Sequence, residues 1–426
     1  MENGVAKYIV RKYEGSGLRT SLSESAMVIS RASGCWLVDE NGRRLLDFAA
    51  SYAVSNIGHC HPKVTAAICE QAKTVTHLPS GIISQARAKF YQALSKIALP
   101  EHQKFFPAIT GAMANEIALA IAKNHRPYLP VLTFSSGYFG RSFGTVGIGG
   151  DFTKRSSLKV GLNDVQFLPY PDERVLGPNA VASVLTFLRT LTAPGGGVGP
   201  LAAIIVEPVQ GAEGVVIPRK EFLMGLREFC DATGTVLIFD EIQAGFGRTG
   251  RNWSCEHFGV VPDIITCGKG IGGGMPVAAV MGKPDLMKLP KDGFSTTFLA
   301  NSVNLSASAA AIDVYLEENL AQRSAELGEH TLATLRGALS HCNHVSEIRG
   351  LGLWIGIDLQ TPDGEPAPEL AKAIQNTCMS NGVLVGIGGA RANTLRLAPP
   401  LIISNDDLHF GTSRIITAIA TAKKAL

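Results

Sequence analysis

Five short runs of the chain are dominated by apolar residues: VLTF (131–134), AAIIVEP (202–208), TVLIFDE (235–241), IITC (264–267) and VAAVM (277–281). Runs of this length, rich in branched aliphatics, predict strands buried on both faces. Between and around them apolar residues recur every third or fourth position over 113–124, 180–192 and 219–232, which predicts helices. The alternation predicts an α/β fold around a large, mostly parallel, doubly wound sheet. After about residue 300 the texture changes. Two long helical patterns, 303–318 and 320–340, lead into LGLWIGIDL (351–359), a polar loop TPDGEPAPE, a helix, short strands and a last helix. Ser404, three residues before Asp407, is positioned to cap that last helix. This stretch predicts a separate, smaller α+β unit, and the first sixty residues, with GCWLVDENGRRLLDF, predict short strands and turns.

Composition narrows the function. The chain has 426 residues, enough for two domains, and a formal net charge of +3 with no basic block. Dispersed charge argues against nucleic acid or an anionic membrane as the main partner. No apolar run approaches the roughly 18–20 residues that a membrane helix needs. The opening MENGVAKYIVRKYEG lacks the apolar centre of a signal peptide. The eight cysteines show no CxxC spacing, which points to a reducing, cytoplasmic setting. Of the ten histidines only His59 and His61, in GHCHP, look like ligands. Alternate histidines in a turn before a proline are more often structural, so no metal site is expected.

Chemistry concentrates in PDIITCGKGIGGGMP (262–276). An apolar strand ends in Gly268 and then Lys269, with Gly270 and three more glycines close behind. A lysine there needs a partner, and the glycines let something other than protein approach the backbone. The GxxxxGK[ST] pattern is not met, because Asp263 and Gly270 stand at the wrong positions. Asp240 ends the apolar run VLIFD, at the strand end where open α/β sheets bind ligands. It precedes Lys269 by 29 residues. The two are compatible with a plain ion pair. They are also compatible with a carbonyl cofactor held by Lys269 as a Schiff base, its pyridine nitrogen kept protonated by Asp240. The second alternative requires a phosphate site, and Thr110-Gly111-Ala112, in a turn that opens a helix, offers free N–H groups and a positive helix end.

At this point the chain resembles the class III, or ω-, aminotransferases of the pyridoxal 5'-phosphate fold-type I group. The resemblance runs from about residue 35 to the end. It rests on LDFAASYAVSNIGHCHPKV, TGAMANE, GYFGRSFG, VEPVQGAEGV, FDEIQAGFGRTG, PDIITCGKGIGGGMP, STTFLANS and RLAPPLIIS, in that order. It implies a large cofactor-binding domain over 61–305 and a small domain built from both termini, 1–60 and 306–426. It also implies a homodimer with shared active sites. Gly111 and Ala112 would cradle the phosphate, Tyr138 would stack on the ring, and Gln243 would bond the ring hydroxyl. Thr297 would reach the phosphate of the neighbouring subunit.

For the substrates, the resemblance implies that Arg396 clamps an α-carboxylate and Arg141 a distal one. Glu207 would pair with Arg396 when a substrate without an α-carboxylate is bound. Tyr52 matches a tyrosine of an ornithine-using relative, and Phe139 would lie near the substrate. The chain departs from the family at Met113, Phe139, Ala212 and Ser302, where Glu, His or Trp, Glu and Pro are frequent. The reaction implied is ping-pong transfer of a terminal amino group from an ω-amino acid, ornithine-like or other amine donor to a keto acid such as 2-oxoglutarate. A decarboxylase, racemase or aminomutase on the same fold is the alternative. The decarboxylase branch carries Gln where Tyr52 stands.

Overall fold

A computed structural model describes residues 4–16, 26–158, 164–291 and 293–422. Its centre is a seven-stranded sheet of β1 (Lys104–Ala108), β2 (Val131–Phe134), β3 (Val165–Leu168), β4 (Ala203–Val206), β5 (Val236–Asp240), β6 (Ile264–Cys267) and β7 (Ala278–Gly282). The spatial order is β1-β7-β6-β5-β4-β2-β3. From β3 to β6 every pairing is parallel, whereas β7 runs antiparallel to both β6 and β1. All five apolar runs are strands of this one sheet.

Successive side chains of a strand point to opposite faces, and the sheet uses both. Ile204, Val206, Leu237, Phe239, Ile265 and Met281 enter one apolar cluster. Ala203, Ile205, Val236, Ile238, Ile264 and Val280 enter another, roofed by Ala114, Ile117, Ala118 and Ile121 of the helix Gly111–His125. The helices Ala180–Thr192, Lys220–Thr233 and Ser302–Glu317 bury Val184, Leu226 and Ile312 in the first cluster. Continuous apolar runs therefore reflect double-sided burial.

Two four-stranded sheets flank the centre. Ile29–Ser33, Trp36–Asp39 and Arg44–Asp47 are joined in parallel by Val383–Leu384. Val345–Leu351, Trp354–Leu359, Thr394–Leu397 and Gly386–Gly388 form an antiparallel sheet, in the order Val345–Leu351, Trp354–Leu359, Thr394–Leu397, Gly386–Gly388. The two long helical patterns are the helices Ser302–Glu317 and Leu320–Ala338. The expected cap is present, with the Ser404 hydroxyl accepting from the Asp407 N–H at 3.0 Å. Among the described residues no helix is long and apolar enough to cross a membrane.

Candidate active site

Parallel strands deliver their carboxyl ends to one side of a sheet, where open α/β folds bind ligands. Here the adjacent strands β4, β5 and β6 deliver three titratable residues. Glu207 follows β4, Asp240 ends β5, and Lys269 lies two residues beyond β6. Asp240 pairs in register with Thr266 of β6. Both belong to the even-numbered positions that face the helix Gly111–His125, and that helix meets them with Asn115. The Asn115 amide donates to Asp240 Oδ2 at 2.8 Å and to the Phe139 carbonyl at 2.8 Å. Its own oxygen accepts from the Thr266 hydroxyl at 2.7 Å. The Ile242 N–H donates to Asp240 Oδ1 at 2.9 Å. The carboxylate is thus held in one orientation from both sides.

Electrostatics follows from this burial. Desolvation pushes Asp240 up to about 6, opposed by the Asn115 and Ile242 hydrogen bonds and by the charge of Lys269. Glu207 is pushed up to about 8 by burial and by Asp240, against N–H bonds from Tyr138 and Gly211. Burial pulls Lys269 down to about 8, while Asp240 and Glu207 favour its cation and Arg396 opposes it. Lys269 also has φ +46°, in the left-handed region that non-glycine residues avoid. Such strain persists where surrounding structure fixes it, as it does at active sites. Its turn packs on Asn56, whose amide would be 2.6 Å from a Cβ at Gly270.

The residues present fit pyridoxal phosphate. A Cβ at Gly111 would come within 2.7 Å of the Ile242 side chain, so the helix start lies close against the Asp240–Gln243 turn. Thr110 caps this helix through the Met113 N–H at 3.2 Å. The first intrahelical bond is Ala114 N–H to Thr110 O, which leaves the Gly111 and Ala112 N–H groups at the positive helix end. Gly140 packs closely on Ala112, since a Cβ at 140 would stand 2.5 Å from the Ala112 Cβ. Asp240 supplies a buried carboxylate for a ring nitrogen and Lys269 an amine for a carbonyl. Tyr138 is 36% exposed, with the Arg141 guanidinium 5.7 Å from its ring centroid.

Two carboxylate-related side chains converge on Gly211. Glu207 accepts from the Tyr138 N–H at 2.8 Å and from the Gly211 N–H at 3.1 Å. Arg396 donates to the Gly211 carbonyl at 3.0 Å and to the Ile387 carbonyl at 3.2 Å. Gln243 also abuts Gly211, its Oε1 lying 2.5 Å from where a Cβ would stand. Tyr52 is 53% exposed and sits in a left-handed turn, Ala50–Ala53, that contacts the Lys269 turn. Thr297 lies apart from this group, exposed beside Phe298.

The Phe139 ring is 2% exposed and packs with Ala114, Ile117 and Ala118 beneath the helix. Neighbouring residues of an extended segment face opposite ways, so an outward Tyr138 sends Phe139 inward. Only its carbonyl, on Asn115, bears on Asp240. His59 and His61, the ligand-like pair, pair with Asp47 at 2.8 Å and Glu318 at 3.6 Å. Asn115 and Thr266 escape the motif reading. Their one signal is a polar residue on an otherwise apolar helix face, or in a buried strand.

These features define a pyridoxal phosphate-dependent enzyme of fold type I. The aminotransferase class-III family profile matches residues 20–419. An acetylornithine aminotransferase of Methanothermobacter thermautotrophicus is 34% identical over 90% of this chain and 91% of its own. A leucine/methionine racemase of Thermococcus litoralis is 31% identical over 95% and 93%. A PLP-bound amine transaminase from an uncultivated Pseudomonas species is 27% identical, with a TM-score of 0.87 over 96% of this chain and 98% of that one. The chain belongs to the class III aminotransferases, and it is a pyridoxal phosphate-dependent aminotransferase.

The depressed Lys269 has a measurable consequence. Only an unprotonated amine attacks a carbonyl. Uptake of pyridoxal phosphate by cofactor-free protein, followed by visible absorbance, is expected to rise about fivefold from pH 7 to 8. From pH 8 to 9 it should rise less than about twofold. A rate that keeps climbing about tenfold per unit to pH 10 belongs to an ordinary lysine.

Proposed function

We propose that this enzyme transfers a terminal amino group from an ω-amino acid or an ornithine-like amine to a keto acid, with 2-oxoglutarate as acceptor. The observation that carries this is the meeting of Glu207 and Arg396 at Gly211, beside Lys269. A site serving two substrates in turn must accept an α-carboxylate in one half-reaction and do without it in the other. A guanidinium fork binds a carboxylate in bidentate fashion, and a nearby acid can neutralise that guanidinium when the carboxylate is missing.

Bound pyridoxal phosphate supplies the electron sink that loosens the substrate Cα–H bond. Gly111 and Ala112 would hold its phosphate by N–H donation, Asp240 would keep its ring nitrogen charged, Gln243 would bond the ring hydroxyl and Tyr138 would stack on the ring. Lys269 would be the amine that meets the cofactor's carbonyl and would carry the proton from substrate Cα, a task suited to an amine whose pKa burial lowers toward neutrality. Arg396 orients the acceptor's α-carboxylate, Arg141 its distal one, and Tyr52 contacts the donor chain.

The same reading makes the enzyme a homodimer in which Thr297 of the partner subunit completes the phosphate site. The exposed Phe298, next to Thr297 in the chain, supports a covered surface at this place. It also groups 1–60 with 306–426 as a small domain beside a large domain over 61–305, and it places the protein in the cytoplasm. The pairing of Leu46 with Val383 supports that grouping. The acetylornithine aminotransferase relative supports an acylated ornithine as one donor to assay. The racemase relative gives a second reading, which chiral analysis after incubation with single amino acids decides: accumulation of the D-enantiomer without a keto acid indicates racemisation.

The charge-switch reading is tested by single-turnover rates of each half-reaction. Arg396→Ala is expected to weaken use of 2-oxoglutarate by about 2–4 kcal/mol, roughly 30- to 1000-fold in kcat/KM, with much less effect on an ω-amine. Glu207→Ala is expected to favour amino acids bearing an α-carboxylate over ω-amines. Equal slowing of both half-reactions by both substitutions makes the two residues a structural pair and sinks the switch.

A further inference from the structure

The antiparallel sheet behind the site carries a second arginine in line with Arg396. Arg349 pairs with Gly356, Gly356 with Arg396, and Arg396 with Gly386. Residues directly opposite across antiparallel strands point to the same face. Arg349, Gly356, Arg396 and Gly386 therefore form one row, two arginines with glycines between and beyond them. Both arginines grip the same loop. The mutual bonds of Gln210 and Val216 close the loop Gly211–Val215. Arg396 holds it at the Gly211 carbonyl, 3.0 Å away. Arg349 holds the other limb, donating to the Gly214 carbonyl at 2.5 Å and the Val215 carbonyl at 3.0 Å.

This loop cannot hold its shape unaided. Val215 is fully buried at φ +61°, a conformation that a β-branched residue adopts only under constraint. Arg349 supplies part of the constraint, beside the Gly389 N–H on the Ala212 carbonyl at 3.0 Å, and is itself fixed. It is 7% exposed, with bonds to both Asp358 oxygens at 2.7 and 2.9 Å and to Glu347 at 2.8 Å. Gly356 opens the path across the sheet, since a Cβ there would stand 2.6 Å from the Gly214 carbonyl. At the loop's other end, Gly211 receives Arg396, donates to Glu207 and abuts Gln243 and Trp354.

We propose that Arg349 is a positioning residue for substrate carboxylates: by fixing the Gly211–Val215 loop it fixes the carbonyl on which Arg396 rests, and so sets how tightly the site takes an α-carboxylate. A guanidinium held in place loses less freedom when it binds an anion than one that must first be ordered. The inference rests on the reading of Arg396 as the carboxylate clamp.

The test uses the holoenzyme, with glutarate as a dicarboxylate probe measured by calorimetry and steady-state kinetics alongside. Arg349→Lys keeps a charge for Asp358 and Glu347, but a single ammonium cannot span both carbonyls as the planar fork does. Gly356→Ala leaves every charge in place and pushes the loop directly. Both are expected to weaken glutarate about 5- to 20-fold and raise the acceptor KM likewise, with kcat and the KM of an amine lacking a carboxylate within about twofold. Arg174→Met is the control: Arg174 shares Asp358 and Glu347 but reaches the loop only through its charge near Glu213, with no hydrogen bond to it among the described contacts. It should lower the unfolding temperature and leave glutarate binding unchanged. If Arg349→Lys fails to fold, Gly356→Ala decides. Unchanged glutarate affinity in Gly356→Ala, or equal weakening in Arg174→Met, overturns the proposal. Arg396→Ala separates the two levels. If it leaves glutarate binding intact, the clamp reading fails, and if it alone weakens binding, only the role of Arg349 fails.

Discussion

Under the role proposed for Lys269, holding the cofactor and moving a proton, Lys269→Ala is expected to lower turnover by at least about a thousandfold. The fold should survive. Burial disfavours the Lys269 ammonium, so deleting it removes an unfavourable charge, and the left-handed backbone at 269 costs alanine about what it costs lysine. The unfolding temperature of the cofactor-free protein should stay within about 3 °C of wild type. A small primary amine in solution should restore part of the rate, because it replaces the missing base without restoring the covalent attachment. Wild-type-like turnover in this variant would falsify the assignment of Lys269.

Asp240→Asn is expected to retain cofactor and lose most activity. Both Asp240 oxygens accept, one from Ile242 and one from Asn115. An amide placed there must turn its own NH2 toward one of these donors, a mismatch of about 1–3 kcal/mol. It also removes the negative charge proposed to keep the ring nitrogen protonated. Together these should slow the proton-transfer step by about a hundredfold or more, corresponding to about 2.7 kcal/mol or more in barrier. Absorbance titration would show binding, and single-turnover kinetics the loss. A rate within about threefold of wild type, roughly 0.7 kcal/mol, counts against the role given to Asp240.

The sequence disclosed what burial writes in plain terms. β2, β4, β5, β6 and β7 are buried on both faces, so their apolar runs announced them. The two edge strands were silent. β1, KFFPA, contains Pro107, which a sheet tolerates at an edge, and β3, VQFL, is only partly buried. The direction of β7 was equally hidden, because a buried strand has the same apolar texture whichever way it runs. In the site, Asp240 and Lys269 stood out as charges at the ends of apolar runs. Asn115 did not, because its meaning arises only when a helix is laid across β5 and β6. Arg349 lay hidden for the same reason, its partners Gly214, Val215 and Asp358 being brought to it by a neighbouring strand and a loop. The burial of the Phe139 ring was hidden as well, because a motif fixes neighbours in sequence and leaves their facing undetermined.

The sheet of Ile29–Ser33, Trp36–Asp39 and Arg44–Asp47 is finished only by Val383–Leu384. During synthesis its open edge waits for more than three hundred residues of further chain. At about 5–20 residues per second that is roughly 17–70 s, far longer than the roughly 1–10 μs in which a hairpin forms. For that interval the Arg44–Asp47 strand presents unpaired N–H and C=O groups, a template for pairing with another nascent chain. Production of this enzyme should therefore be governed less by the stability of the finished molecule than by how the ribosome-bound chain is sheltered. Slow translation or scarce chaperones should cost yield well before any loss of thermal stability is seen.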